Sequence, residues 1–403
     1  MTHSPMFGSQ RGNIRAFEVM EALREAESLE KQGRHIIHFS LGQPGTRAPK
    51  AVFDAVTARM DDNHLGYTEA RGLLALRERI ARFYHDSYQI RVDPAQIFVT
   101  VGSSSAYFLG LLAACDAGDR VAISRPCYPA YPNMARALNL EPVFIDTDET
   151  TRFQPTVDMV AQAHQRTPLK ALVIASPSNP AGTVIDKPQM EALVAYCKTH
   201  NILLFSDEIY HGITFDAHTK PCSVLECSAE NLVLNSFSKY FLLPGWRLGW
   251  AVVPPALLRR YESLVQSFFI SPAAPAQYAA LEVFNHLDEL QSVVSHYHRN
   301  RDVLIDALKG AGFAQLIVPE GAFYIYTNID QFGITSTEFC RKLLHEAGVS
   351  AVPGHDFDEA RGNSYVRFSF AGSAEDVREG AERIQQWVSA SMTSPQRSTT
   401  AYA

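Results

Sequence analysis

The sequence predicts an α/β protein with a mostly parallel central sheet in a large domain, accompanied by a smaller α/β domain. Three observations carry that expectation. A chain of 403 residues exceeds what one compact core accommodates. From Ile97 onward, short β-branched or apolar runs alternate with longer helical patterns. No internal repeat interrupts that rhythm.

In chain order, Phe17, Met20 and Leu23 recur at helical spacing within a charged segment and predict an amphipathic helix. Strands are expected at IFVTV (97–101), RVAIS (120–124), PVFID (142–146), ALVIA (171–175), ILLFS (202–206), LVLNS (232–236) and LGWAVV (248–253). Helices are expected between them at Tyr107–Cys115, Tyr131–Leu138, Val157–His164 and Lys187–His200. From about Ser389 the chain is rich in Ser and Thr without periodicity, which predicts a disordered tail over 389–403.

Bulk properties narrow the function. Hydrophobic residues at 46% and charged residues at 20% are ordinary for a soluble globular protein. A formal net charge of -7 argues against nucleic acid as a partner. The longest apolar run, Ala106 to Cys115, is about half of what a membrane span needs, so no membrane association is expected. The N-terminus lacks the apolar core of a signal peptide. Six cysteines without a CxxC pair, and no His cluster at ligand spacing, predict free thiols, no metal and a reducing compartment, hence the cytoplasm.

Ligands of parallel sheets bind beyond the carboxyl ends of the strands, so the residues following each strand matter most. After LVLNS comes Ser236-Phe237-Ser238-Lys239, with Arg247 eight residues on. Burial near other cations lowers a lysine's pKa and yields an amine able to form a Schiff base. Ser236 and Arg247 could hold a phosphate, although in isolation a surface lysine and a structural arginine are the simpler reading. After ILLFS comes Asp207-Glu208-Ile209-Tyr210. Its Asp is either a turn former or a carboxylate paired with a protonated pyridine nitrogen, whose phenolic oxygen Tyr210 could reach. Asn179 in SPSNPAGTV is a turn residue or a donor to that same oxygen. Gly102-Ser103-Ser104-Ser105, opening a helix from Ala106, is a capping turn or a phosphate cradle.

Each signal is ambiguous alone, but together they resemble one family. SPSNPAGTV, SDEIY, SFSK with LPGWRLGW, and YVRFSFA around Arg367 occur in order across roughly residues 36 to 386. This combination is similar to class I/II, aspartate aminotransferase-like enzymes of pyridoxal-phosphate fold type I.

The resemblance implies pyridoxal 5'-phosphate carried as a Schiff base on Lys239, with Asp207 on the pyridine nitrogen and Asn179 and Tyr210 on the phenolic oxygen. It places Ser103, Ser104, Ser236 and Arg247 on the phosphate and Tyr128 against the ring. Arg367 would grip the substrate α-carboxylate, with Gly42 and Asn179 beside the substrate. Tyr67 would reach the phosphate of a partner subunit, which implies a homodimer with shared sites. Catalysis would rest on Lys239, Asp207 and Tyr210, in a ping-pong exchange between an L-amino acid and a 2-oxo acid. The implied domains are 49–286 for the large one, and 1–48 with 287–388 for the small one.

Ser104 stands where some aspartate-specific relatives carry a lysine, and FFISPAAPAQYAAL offers no arginine. The expected substrate therefore has a neutral side chain. Two alternatives remain at this level. The same lysine supports β- or γ-elimination, as in a C–S lyase. A non-catalytic, effector-binding relative is the remoter one, because too little chain precedes residue 36 for a DNA-binding module.

Overall fold

The computed structural model describes residues 8–61, 65–216 and 219–391. Among the described residues twelve strands form three sheets: β1 (Ile37–His38), β2 (Ile97–Thr100), β3 (Arg120–Arg125), β4 (Glu141–Asp146), β5 (Ala171–Ala175), β6 (Leu203–Asp207), β7 (Leu232–Ser236), β8 (Gly249–Val252), β9 (Tyr324–Asn328), β10 (Val349–Ser350), β11 (Val352–Pro353) and β12 (Tyr365–Ser369). All seven expected strands are present, with ends shifted by a residue at most.

The central sheet has the order β2-β8-β7-β6-β5-β3-β4. The pairs among β4, β3, β5, β6 and β7 are all parallel, and β8 runs antiparallel to both its neighbours. Strands buried on both faces read as continuous apolar runs, and β5 is an example. Its Leu172 and Ile174 join one apolar cluster, while Ala171 and Val173 join the cluster on the opposite face. Helix Lys187–Thr199 covers the first face with Met190, Leu193 and Val194. Its start follows from the sequence Asp186-Lys187-Pro188: the Asp186 carboxylate accepts from Gln189 N at 2.9 Å, and the proline occupies a position that needs no donor.

Helix Gly102–Ala114 covers the other face. Gly110 lets it approach the sheet closely, since a Cβ there would stand 2.7 Å from the Phe205 ring. The helix starts four residues earlier than its apolar run implied. Ser103 and Ser104 therefore lie in its first turn, where backbone N–H groups have no intrahelical partner.

The order of the second sheet is β11-β12-β9, all antiparallel, and β1 pairs with β10 in parallel. The register sets Arg367 opposite Tyr326 and Ser369 opposite Tyr324. One continuous apolar cluster joins Leu172 and Trp250 of the central sheet to Tyr324, Val366 and Phe368 of the second. The predicted amphipathic helix is Glu18–Lys31, its first N–H groups taken by Asp356, 338 residues away. Helix Ala374–Ser391 includes the first three residues of the segment expected to be a tail. Val388 is buried at its end and holds that last turn to the core. Residues 392–403 of the expected tail lie outside the described residues.

Candidate active site

Five strands of the central sheet deliver the candidate residues to one edge. β6 ends on Asp207, β7 on Ser236 before the turn to Lys239, and β5 shortly before Asn179. β2 leads into Gly102, and β3 is followed by Tyr128. Arg367 arrives from β12 and Tyr324 from β9, so the second sheet supplies the opposite wall.

The Lys239 Nζ donates to Gly42 O at 2.5 Å and lies 6.0 Å from the centres of both the Tyr210 and Phe323 rings. Burial pushes its pKa down to about 8 from an ordinary 10.5. The Arg367 and Arg247 guanidinium groups push in the same direction, and only Asp207 opposes them.

Asp207 is 4% exposed. Its Oδ2 accepts from Tyr131 OH at 2.5 Å and its Oδ1 from Ile209 N at 3.1 Å. Burial raises the carboxyl to about 6, and these two hydrogen bonds only partly offset that. A buried carboxylate of this kind suits a cationic partner.

Tyr210 OH and Tyr324 OH are hydrogen-bonded at 2.7 Å, with the rings edge-on. Arg367 is 3% exposed and is aimed by two acceptors: Nη2 donates to Ser40 O at 2.7 Å and Nη1 to Asn179 Oδ1 at 2.9 Å. The guanidinium carbon stands 4.3 Å from the Tyr324 ring centre and 4.8 Å from that of Phe357. Its Nε is buried without a hydrogen-bond partner, an unpaired donor on a fixed cation. Asn179 Oδ1 accepts from Arg367, so the other end of the amide, Nδ2, is the donor it can offer a ligand. Gly42 is required by contact, because a Cβ there would stand 2.7 Å from Tyr324 OH.

Gly102 has φ +73, and a Cβ on it would lie 2.7 Å from Arg247 Nη2. Gly249 lets β8 press against the same turn, its own Cβ position being 2.8 Å from Ser103 N. Arg247 Nη1 donates to Pro244 O at 2.9 Å. These contacts set Arg247 beside the first helical turn, with Ser103 and Ser104 half-buried in it. The Ser236 hydroxyl is 2.8 Å from Ser238 Oγ and 3.1 Å from Leu248 O, and it accepts from Ser238 N at 3.0 Å. Tyr128 packs against Phe17 with ring centres 5.9 Å apart and meets Tyr131 edge-on. Tyr67 is 85% exposed on the surface of the single chain.

These residues fit the coenzyme expected from the sequence. They offer a depressed lysine, an acid able to face a ring nitrogen, donors for a ring oxygen and a cradle of N–H groups beside an arginine. Tyr131, Tyr324 and Ser40 were not foreseen. Tyr131 had a signal, three residues after Tyr128 in CYPAY, whereas Tyr324 reads in GAFYIYTNI as an ordinary buried strand residue.

A buried amine, an acid and two arginines at the carboxyl edge of a mostly parallel sheet describe an α/β enzyme that handles small anionic molecules. The chain belongs to the family of class I and II aminotransferases, whose profile matches residues 34–384. It is 40% identical over 380 residues to the valine–pyruvate aminotransferase of Mycobacterium tuberculosis, covering 94% of this chain and 97% of that one. It is 36% identical over 381 residues to the (5-formylfuran-3-yl)methyl phosphate transaminase of Methanocaldococcus jannaschii, covering 93% and 98%. The crystal structure of an aminotransferase from Mycobacterium tuberculosis superposes with a TM-score of 0.93 at 39% identity, covering 95% and 99% of the two chains. The protein is an aminotransferase, and the eliminating alternative is not favoured. Among the described residues no helix is long and apolar enough to cross a membrane.

Proposed function

We propose that the protein transfers an amino group from an L-amino acid with a neutral side chain to a 2-oxo acid, in ping-pong fashion, using pyridoxal 5'-phosphate held by Lys239. The observation that carries the reading is the Lys239 amine, set 6.0 Å from the centre of the Tyr210 ring at the sheet edge that also bears Asp207 and Asn179, with its pKa lowered by burial and by the Arg367 and Arg247 guanidinium groups. When bound, the coenzyme supplies a carbonyl carbon and a protonated ring that withdraws electrons from the substrate Cα.

The residues divide the remaining work. Lys239 Nζ would hold the coenzyme covalently and, once displaced by the substrate amine, take the Cα proton and return it at the next carbon. Asp207, kept in place by Tyr131, would face the ring nitrogen. Asn179 Nδ2 and the Tyr210 hydroxyl would face the ring oxygen, and Tyr128 the ring. Ser103, Ser104, Ser236 and Arg247 would bind the phosphate. Arg367, oriented by Ser40 O and Asn179, would grip the α-carboxylate and fix the direction of the Cα–H bond. Gly42 would leave room for the substrate beside Tyr324.

The neutral side chain is supported by the absence of a lysine at Ser104 and by the valine and pyruvate in the name of the relative at 40% identity. We further read the protein as a homodimer in which the exposed Tyr67 hydroxyl reaches the partner's phosphate. Residues 49–286 would form the coenzyme domain, with 1–48 and 287–388 in the smaller one. Six unpaired cysteines support a cytoplasmic setting.

The test is spectroscopic. Coenzyme-loaded protein is mixed with valine, alanine, glutamate or aspartate without any oxo acid. Conversion of the coenzyme's absorbance to that of its amine form with valine or alanine is expected. Ammonia release, or a response to aspartate alone, would overturn the reading.

A further inference from the structure

Two of the six thiols, neither of them among the residues expected to hold the coenzyme, lie against one another. Cys222 Sγ and Cys227 Sγ are 3.9 Å apart; the first is buried and the second half-buried. They bracket the 3-10 turn Val224–Glu226. That turn is fixed at both ends: Ser223 N donates to Glu226 Oε1 at 3.0 Å, and Lys187 Nζ lies 3.3 Å from Glu226 Oε2. The two sulfurs are thus held in contact by the backbone between them.

The same turn holds a buried acid. Glu208 is fully buried beside Asp207. It accepts from Ser223 Oγ at 2.9 and 3.1 Å and from Val224 N at 3.0 Å. Burial lifts its carboxyl to about 8. Closing the sulfurs from 3.9 Å to a bond of about 2.05 Å moves the segment that carries these donors.

We propose that Cys222 and Cys227 are the site of a reversible intrachain disulfide, and that its formation disturbs the hydrogen bonds that hold Glu208, the chain neighbour of Asp207. The oxidant is a low-molecular-weight disulfide. The thiolate of the more accessible Cys227 attacks one of its sulfurs and releases one thiol. The Cys222 thiolate then attacks Cys227 Sγ and releases the second, so that two protein thiols and one disulfide become one protein disulfide and two thiols. Burial raises both thiols above their usual range, so the exchange is slow at neutral pH and faster on the alkaline side.

The test treats the coenzyme-loaded protein with oxidised glutathione at mildly alkaline pH, then denatures and alkylates it. Only the activity readout rests on the proposed function; the thiol map does not. The expected result is the loss of two of the six alkylatable thiols, a Cys222–Cys227 cross-linked peptide, and a partial loss of activity that a dithiol restores. Cys227→Ser should show neither the cross-link nor the loss. Six alkylatable thiols after treatment, or a cross-link between other cysteines, overturns the site. A Cys222–Cys227 disulfide with unchanged activity, or an equal loss in Cys227→Ser, overturns the coupling to Glu208.

Discussion

The Lys239 amine is expected to titrate near pH 8, and this can be measured without any substrate. Its pKa falls from 10.5 to about 8, a difference of about 2.5 units. At neutral pH that difference makes the reactive free base roughly 300 times more abundant than on an ordinary lysine. Coenzyme-free protein is exposed to a limiting amount of a small amine-reactive reagent over a pH series, and the modified peptide carrying Lys239 is quantified by mass spectrometry. Its rate should rise to a plateau with a midpoint near 8. Arg367→Gln removes a cation that disfavours the protonated amine, so its midpoint should move upward. A Lys239 midpoint near 10, or one that does not move in Arg367→Gln, would refute this account of the amine.

Four further outcomes follow from the same geometry. Asp207 titrates near 6 when folded and near 3.8 when unfolded, so its contribution to stability is present below 3.8 and lost as pH rises through about 6. Asp207→Asn should therefore stabilise the coenzyme-free protein at neutral pH by up to about 3 kcal/mol in denaturant melts, while abolishing most turnover. Arg367→Lys keeps a charge but loses the fork, and should lower kcat/KM by about 30- to 100-fold, near 2 to 3 kcal/mol in steady-state kinetics. Gly102→Ala places a methyl 2.7 Å from Arg247 Nη2 at a positive φ, and should raise the coenzyme Kd about tenfold or more by fluorescence titration. Tyr324→Phe removes the partner of the Tyr210 hydroxyl, and a kcat loss of about fivefold, near 1 kcal/mol, is expected from single-turnover rates.

Much of the central sheet was legible because strands buried on both faces carry apolar runs, as ALVIA and the LVL of LVLNS do. The residues just past those strands were legible for a related reason. Parallel strands share a direction, so polar residues at their carboxyl ends must converge. The second sheet was less readable. β9 and β12 are about forty residues apart in the chain, and nothing local fixes the register that sets Ser369 opposite Tyr324. Nothing in the sequence therefore singles out Tyr324, although it touches Tyr210, Arg367 and Gly42 at once. The start of helix Gly102–Ala114 was misplaced because three serines and a glycine read as a turn. Here the glycine's positive φ begins the helix, and tertiary packing outweighs their weak propensity. Glu208 carries no signal of its own in the sequence, and its burial against Ser223 and Val224 is visible only in the structure.

The central claim is that Lys239 carries the coenzyme, and reductive trapping tests it most directly. Coenzyme-loaded protein is treated with borohydride, digested and mapped by mass spectrometry, beside a Lys239→Ala control. The account predicts the pyridoxyl phosphate adduct on the peptide containing Lys239, none on the control, and transfer activity absent from that control. An adduct on another lysine, or transamination persisting in Lys239→Ala, would contradict it.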